Sequence, residues 1–314
     1  MAITEALKKG DKVVVVDKKP VKLTNSQKIY WPEEGISKGE LVSYYRDMSS
    51  YILPYIKNRP QSLNRFPNGI KAPGFYQKDM DVSQVPSWVK TEKIFSTSNN
   101  DYIDYLICND TATLMYMANL GCIEINPWHS QYKKPNHPQW MMLDLDPGDI
   151  SFGEVVKVAL QIRKAADELE IESFCKTSGA SGLHIFFPLN TKYAYDEVKP
   201  FAAAFANLIN QRIPETTSIE RSVAKRRDKV YLDFLQNNKG QTIAAPYSVR
   251  PRPGATVSAP LAWSEVNARL HPGMFTMKNI KKRVETKGDL WEGVMGAGIP
   301  LKKLAVKINS LLKK

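Results

Sequence analysis

Asp144 and Asp146 stand two residues apart in the run QWMMLDLDP. Side chains alternate along a strand, so in an extended segment both carboxylates point to one face and Leu145 to the other. Two carboxylates placed this way repel each other unless a cation sits between them. Asp233 interrupts a second apolar run, Val230–Leu235, where an unpaired carboxylate is costly. If the two strands are neighbours, three acids meet on one sheet face. Ligation by oxygen alone suits Mg²⁺ or Mn²⁺, and such a site can hold two ions and stabilise an in-line phosphoryl displacement. The Asp-x-Asp pair alone has a plainer reading: a strand end at Pro147 whose acids cap a turn or the next helix. The position of Asp233 favours the metal site.

A Gly-rich turn, Ser178-Gly179-Ala180-Ser181-Gly182, is followed by His184. Successive backbone N–H groups in such a turn can form an anion nest. It is not a Walker loop, because no Gly-Lys-Ser/Thr follows. It is not a dinucleotide fingerprint, because a strand follows it rather than a helix. Alone it is also an ordinary hairpin turn, His184 an ordinary half-buried histidine, and Arg250 of SVRPRP a surface arginine.

The elements around these residues follow from pattern. KVVVV reads as a short strand, and VKLTNSQKIYWP as a strand and turn before a helix starting near Ser37. Ser37 with Glu40 forms a capping box, and Leu41, Tyr44, Tyr45 and Met48 recur at helical spacing. Residues 58–100 are rich in Pro, Gly, Asn and Ser and read mostly as loops with short strands. A helix starts after Asn109 or Asp110. From residue 140 the order is clearer: strand QWMMLDLD, a helix from Ser151 with Glu154 as its capping box, strand ESFCKT, the Gly turn, strand LHIFFPL, a helix over DEVKPFAAAFANLINQRI, and strand KVYLDFLQN. This is a βαββαβ order, the split-βαβ arrangement of ferredoxin-like and RRM-like sheets, in which the first and last strands are neighbours. The expected fold class is therefore α+β, a βαββαβ catalytic sheet packed with an N-terminal α/β module. The expected division is 1–125 for that module, 126–260 for the catalytic sheet and 261–314 for a basic C-terminal segment packing on the body.

The chain has 314 residues and a formal net charge of +12, long enough to bury a full core. Its 43% hydrophobic and 24% charged residues exclude disorder as the main state. The basic excess is uneven: residues 250–314 hold 13 Lys/Arg and 4 Asp/Glu, whereas residues 101–200 hold 8 and 14. A basic surface attracts polyanions, nucleic acid first among them, although solvated helix faces and a basic tail give the same composition. No apolar run reaches the roughly 18 residues of a membrane helix, and MAITEALKKGDK lacks the apolar core of a secretory signal. Cys108, Cys122 and Cys175 form no CxxC pair, which argues against a zinc cluster or disulfide scaffold and fits a reducing compartment.

Taken together, RPQSLNRFPNG, FYQKD, LDLDP, KTSGASGLH, VYLDF and the Arg of SVRPR, in that order, resemble the polymerase domain of bacterial ligase D. That domain is the primase-polymerase module of bacterial end joining and belongs to the archaeo-eukaryotic primase superfamily. The resemblance runs from VKLTNSQKIYWP to SVRPRPGATVSAPLAW. It implies that Asp144, Asp146 and Asp233 are the metal-binding catalytic acids, with two Mn²⁺ or Mg²⁺ ions. It implies that Ser178, His184 and Arg250 hold the incoming nucleoside triphosphate. Asn126 of EINPW stands where many relatives carry a histidine near the triphosphate, and Asn donates a hydrogen bond but carries no charge. Asn25, Lys28 and Lys38 match positions contacting the 5′-phosphate of a downstream strand. Lys38 also falls in the first turn of a helix, where free N–H groups and the dipole favour an anion; on spacing alone Lys28 and Lys38 read as solvated surface lysines, and the resemblance reverses that reading. Phe75 and Tyr76 match an aromatic pair that stacks at the template break, and Lys225 and Arg226 match basic positions that align primer and nucleotide.

The resemblance further implies ribonucleotides preferred or accepted, partnership with Ku and a ligase module, and a cytoplasmic place at the bacterial nucleoid. No ligase or phosphoesterase motif is present, which describes either an excised domain or a stand-alone polymerase. Two other functions use some of the same residues. A metal-dependent nuclease explains the three acids but not the Gly turn, His184 and Arg250. A non-catalytic single-strand binder on a recognition-type sheet does not explain three acids on the nucleic-acid face, and it lacks an aromatic motif such as RGFGFV.

Overall fold

The computed structural model describes residues 10–96, 99–226 and 228–313. The first nine residues, on which the reading of no secretory signal largely rests, lie outside them. Among the described residues no helix is long and apolar enough to cross a membrane.

A six-stranded sheet forms the centre. Its spatial order is Thr217–Ser218, Val230–Asp233, Trp140–Asp146, Leu183–Pro188, Phe174–Thr177 and Pro260–Leu261. The four inner strands, with helices Phe152–Glu168 and Tyr195–Arg212 between them in sequence, give the expected βαββαβ topology. The first and last of the four are neighbours. Period-two alternation explains the two faces. Met141, Leu143 and Leu145 are wholly buried on the face toward the helices, where Phe187 meets Phe205 edge-on with ring centroids 5.3 Å apart. The helices return Val155, Val158, Ala159, Ile162, Val198, Phe201 and Phe205, all buried. Each such large side chain contributes about 1.5–3 kcal/mol of hydrophobic stabilisation. The opposite face carries Trp140, Met142, Asp144 and Asp146.

The N-terminal part supplies helices Lys38–Asp47, Ser49–Ile56 and Thr111–Asn119 and a three-stranded sheet in the order Phe75–Gln77, Gln61–Arg65, Cys122–Pro127. The Cys122–Pro127 strand runs through the 125/126 division expected from sequence. One apolar core continues from Val21 through the central sheet to Ile308. The C-terminal segment wraps both sides of the sheet. Trp291 packs against Phe186 at 5.0 Å on the acidic face. Helix Leu301–Leu312 buries Leu301, Leu304 and Ile308 and packs on Tyr195–Arg212. Asp289 accepts hydrogen bonds from Tyr55 and Tyr247 at 2.5 and 2.6 Å, tying this segment to helix Ser49–Ile56 and to the loop that holds Tyr247.

Three local expectations change. The Ser37–Glu40 capping box is present, but the Ser151 side chain makes no cap bond: the Glu154 N–H donates to Ser151 O at 3.1 Å, and the Glu154 carboxylate accepts from Lys157 at 2.7 Å. The last inner strand stops at Asp233 rather than Asn237. Asn237 instead turns back and pairs its side-chain amide with both the N–H and the C=O of Met142, at 2.9 and 2.7 Å, extending the ladder with a side chain. Residues 58–100 include the seven-residue strand Lys90–Ser96, which forms a long hairpin with Asp101–Ile107.

Candidate active site

Asp144 and Asp233 are direct partners in the antiparallel register of Trp140–Asp146 with Val230–Asp233, and Asp146 lies opposite Tyr231. The three acids therefore occupy one face, as alternation requires. Burial, reinforced by the charges of Asp233 and Asp146, pushes the Asp144 carboxyl up to about 7, against the opposing pull of Lys176 and Arg250. Each carboxylate is turned onto a protein donor. Asp233 accepts from the Leu235 N–H at 2.8 Å and from Gln236 Nε2 at 3.2 Å. Asp146 accepts from the Gly148 N–H at 3.3 Å and from Arg226 Nη1 at 3.4 Å. Asp144 Oδ1 lies 3.4 Å from His184 Nε2. In these rotamers no group of three or more His, Cys, Asp or Glu side chains among the described residues converges at metal-ligand spacing. The donor set nonetheless fits a hard divalent cation: all donors are carboxylate oxygens, and a cation removes the repulsion that raises Asp144.

The Gly turn joins Phe174–Thr177 to Leu183–Pro188, closed by Ser178 N–H donating to Gly182 O at 2.9 Å. The expected anion nest is partly used up internally, since the N–H groups of Ala180 and Gly182 both donate to Ser178 Oγ at 3.0 Å. Both glycines are sterically required. Gly179 has φ +71°, and an added Cβ would stand 2.7 Å from Arg250 Cγ and 2.8 Å from the Ser258 nitrogen; at Gly182 it would collide with Leu145 O. Arg250 Nη1 donates to Ser178 O at 2.5 Å. Its Nε lies 3.1 Å from Glu124 Oε2 without hydrogen-bond alignment, so that approach is a charge contact. A cavity of about 350 Å³ is lined by Asp144, Asp146, Ser178, His184, Arg250 and Asn126, among others. Asn126 is buried, and its Nδ2 makes a long contact to Glu124 O at 3.4 Å.

The expected DNA-end residues are divided. Lys28 Nζ donates to Asn68 Oδ1 at 2.5 Å. Lys38 is buried, donating to Thr24 O at 2.7 Å. Burial and the nearby Lys28 push its ammonium down to about 8, with Asp11 opposing and Arg65 adding to the fall. Asn25 holds a left-handed backbone, φ +52°, and its C=O accepts from the Lys28 N–H. The first-turn amides expected to be free are taken: those of Lys38 and Gly39 donate to Lys28 O and Ser26 O, both at 2.8 Å, and that of Glu40 to Ser37 Oγ. An anion here would meet ammonium groups rather than backbone N–H. Phe75 and Tyr76 are exposed but, as strand neighbours, face opposite ways. Phe75 lies under the Arg65 guanidinium at 5.2 Å, while Tyr76 lines the acidic cavity. Arg226 stacks on Tyr231 at 3.6 Å, and Lys225 is exposed on the short helix Val223–Arg226.

Sequence reasoning passed over Glu124, Lys176, Arg252 and Arg65. Glu124 and Arg252 also line the cavity. Lys176 is wholly buried, donates to Ala244 O and Ser258 Oγ, and has its Nζ 2.7 Å from His184 Nδ1. The signal used for Asp233, a charge inside an apolar strand, also marks Glu124 in CIEINP and Lys176 in ESFCKT.

The central sheet, with its paired acids beside a Gly-rich hairpin, is that of a polymerase-class nucleotidyltransferase. The chain belongs to the LigD primase-polymerase domain family, whose sequence pattern matches residues 37–291. Among similar proteins, the bifunctional non-homologous end joining protein LigD of Bacillus subtilis is 31% identical, over 88% of this chain and 45% of its own length. The multifunctional LigD of Mycolicibacterium smegmatis is 30% identical, over 78% of this chain and 32% of its own. The chain thus spans half or less of these relatives. The solved polymerase domain of Mycobacterium tuberculosis Ligase D, in complex with DNA, superposes with a TM-score of 0.80 at 26% identity, covering 89% of this chain and 99% of that one.

Proposed function

We propose that this chain adds nucleotides, ribonucleotides preferentially, to primer 3′ ends on a DNA template at breaks and short gaps during non-homologous end joining. The observation that carries the reading is the register pairing of Asp233 with Asp144, where Asp144 and Asp146 line a cavity together with Ser178, His184 and Arg250. Acidic and phosphate-binding groups face one space, as transfer of a nucleotidyl group requires. The nuclease and binder readings leave one half of that space unexplained. The names of the LigD relatives and the DNA bound to the similar solved domain support the setting.

Asp144, Asp146 and Asp233 would hold two divalent ions, Mn²⁺ or Mg²⁺. Such ions, when bound, activate the primer hydroxyl and offset the charge of the leaving pyrophosphate. Arg250 presents a planar fork suited to phosphate oxygens, and Ser178, His184 and Asn126 add polar contacts around the triphosphate. Lys28 and Lys38, with Asn25, take the 5′-phosphate at the far side of the break. Phe75 and Tyr76 contact template bases, and Lys225 and Arg226 the primer strand. In this scheme 1–125 reads the DNA end, 126–260 carries the chemistry and 261–314 braces the body. Ku and a ligase module are the implied partners, and the bacterial nucleoid the implied place.

The test is a labelled primer–template incubated with Mn²⁺ and ribo- or deoxynucleotides in parallel. Extension, faster with ribonucleotides, is expected from the wild type and none from Asp144→Ala, with DNA affinity retained. Shortening of the primer would establish a nuclease, retention without extension a binder, and near-normal extension by Asp144→Ala would remove that residue from the site.

A further inference from the structure

We propose that Lys176 is a positioning residue for the nucleotide site: its ammonium fixes the His184 ring as the Nε2–H tautomer, aimed at Asp144 and the cavity. The consequence for nucleotide use rests on the reading of His184 given above; the tautomer itself does not.

Both residues are buried, Lys176 at 0% and His184 at 2% exposure. They are cross-strand partners on Phe174–Thr177 and Leu183–Pro188, and Asp144 is the partner of His184 on its other side. The three side chains therefore form a row across the sheet. Lys176 Nζ lies 2.7 Å from His184 Nδ1, 2.9 Å from Ala244 O and 2.6 Å from Ser258 Oγ. A carbonyl oxygen only accepts, and the Ser258 hydroxyl donates its own proton to Thr177 O at 2.8 Å, so it too accepts from Lys176. An ammonium has three donors and no acceptor; its third proton goes to Nδ1, which leaves the ring proton on Nε2. The other end agrees. Nε2 lies 3.4 Å from Asp144 Oδ1, a charge contact in which an N–H is favoured over a lone pair facing the acidic oxygen. The opposite arrangement, a neutral amine accepting from Nδ1–H, would turn an Nε2 lone pair on the Asp144 carboxylate. Burial and Arg250 press the Lys176 ammonium down from the ordinary lysine range, while Asp144 favours its charge. Two acceptors besides the ring give that charge its partners. Held this way, His184 offers one fixed N–H donor to a phosphate oxygen and needs no reorientation when nucleotide enters.

The experiment uses the full chain with ¹⁵N-labelled histidine and long-range ¹H–¹⁵N correlation spectra. The chain has four histidines, and His184→Gln assigns the signal. Wild type should show His184 protonated on Nε2 alone. Lys176→Met should convert it to a tautomer mixture and raise the nucleotide KM about tenfold or more, the loss of one charge-assisted hydrogen bond. Affinity for gapped DNA should not change. A wild-type ring protonated on Nδ1 overturns the proposal, as does a Lys176→Met protein with the wild-type tautomer and KM. If Lys176→Met does not fold, the wild-type tautomer still decides. Lys176→Gln, which keeps an amide donor, then gives the KM comparison, expected between wild type and a complete loss. Failure of the wild type to bind nucleotide would overturn the cavity's assignment, while the spectra separately support or refute the Lys176 arrangement.

Discussion

Replacing Arg250 by alanine removes two contacts at once, the donation to Ser178 O at 2.5 Å and the charge contact with Glu124 at 3.1 Å. The Glu124 side chain is only 5% exposed, so the guanidinium is a main compensation for its charge. Removing one member of a buried ion pair costs about 3–5 kcal/mol, because the other charge is left uncompensated. Two features put this site at the lower end. Asn64 Nδ2 still donates to Glu124 Oε2 at 3.2 Å, and the Arg250 Nε approach lacks hydrogen-bond alignment. We therefore expect a loss of about 3 kcal/mol. In a chain of 314 residues each kcal/mol shifts the melting midpoint by about 1.5 °C, so Arg250→Ala should melt about 4–5 °C lower. Adding Glu124→Gln neutralises the stranded charge and should restore at least about 1 kcal/mol, a coupling that a double-mutant cycle isolates. The assay is thermal unfolding of wild type, both single variants and the double variant, followed by circular dichroism. Nucleotide KM and DNA affinity measured on the same proteins should show KM affected far more than DNA binding. A single variant melting within about 1 °C of wild type, and a double variant no better than Arg250→Ala, would refute the claim that Arg250 compensates Glu124.

A gapped substrate with a 5′-phosphate should bind and extend better than its 5′-hydroxyl counterpart. Lys28→Ala with Lys38→Ala should erase that preference and flatten the salt dependence of binding by about 0.7–0.9 log units per lost phosphate contact; equal wild-type affinity for the two substrates counts against the site. Burial tends to raise the Glu265 carboxyl, but Arg283, Lys287 and the Ala262 amide hold it at about 2, below its ordinary 4.5. The stability this group adds is thus complete above pH 4.5 and lost as pH falls toward about 2. Urea unfolding should accordingly show wild type and Glu265→Gln far apart at neutral pH and converging in acid; a gap independent of pH speaks against the pairing. Gly182→Ala places a Cβ against Leu145 O and should cost about 1–3 kcal/mol and slow extension by displacing the hairpin; an unchanged melting point and rate would show that the turn can yield.

Local pattern carried much of this protein. Asp144 and Asp146 share a face because alternation with period two needs no tertiary information. The caps at Ser37 and Asp110 depend on residues three positions away, and the βαββαβ order on elements long enough to show their own periodicity. The same alternation would have separated Phe75 from Tyr76, whose pairing came from resemblance to the family rather than from geometry. Other features required the packed chain. The direct facing of Asp144 and Asp233 is a register set across 89 residues by the apolar side chains beneath both strands. That the helix amides at Lys38 and Gly39 are taken depends on where the preceding loop folds back, and that the Gly-turn amides bind Ser178 depends on how tightly the hairpin closes. Glu124 and Lys176 look in sequence like isolated charges in apolar strands. Their partners, Arg250 for one and Ser258 and Ala244 for the other, come from distant parts of the chain. Sequence spacing fixes what a residue's neighbours on its own strand or helix turn can be, whereas a buried charge is satisfied by whatever the core brings within about 3 Å, and only the assembled core determines that.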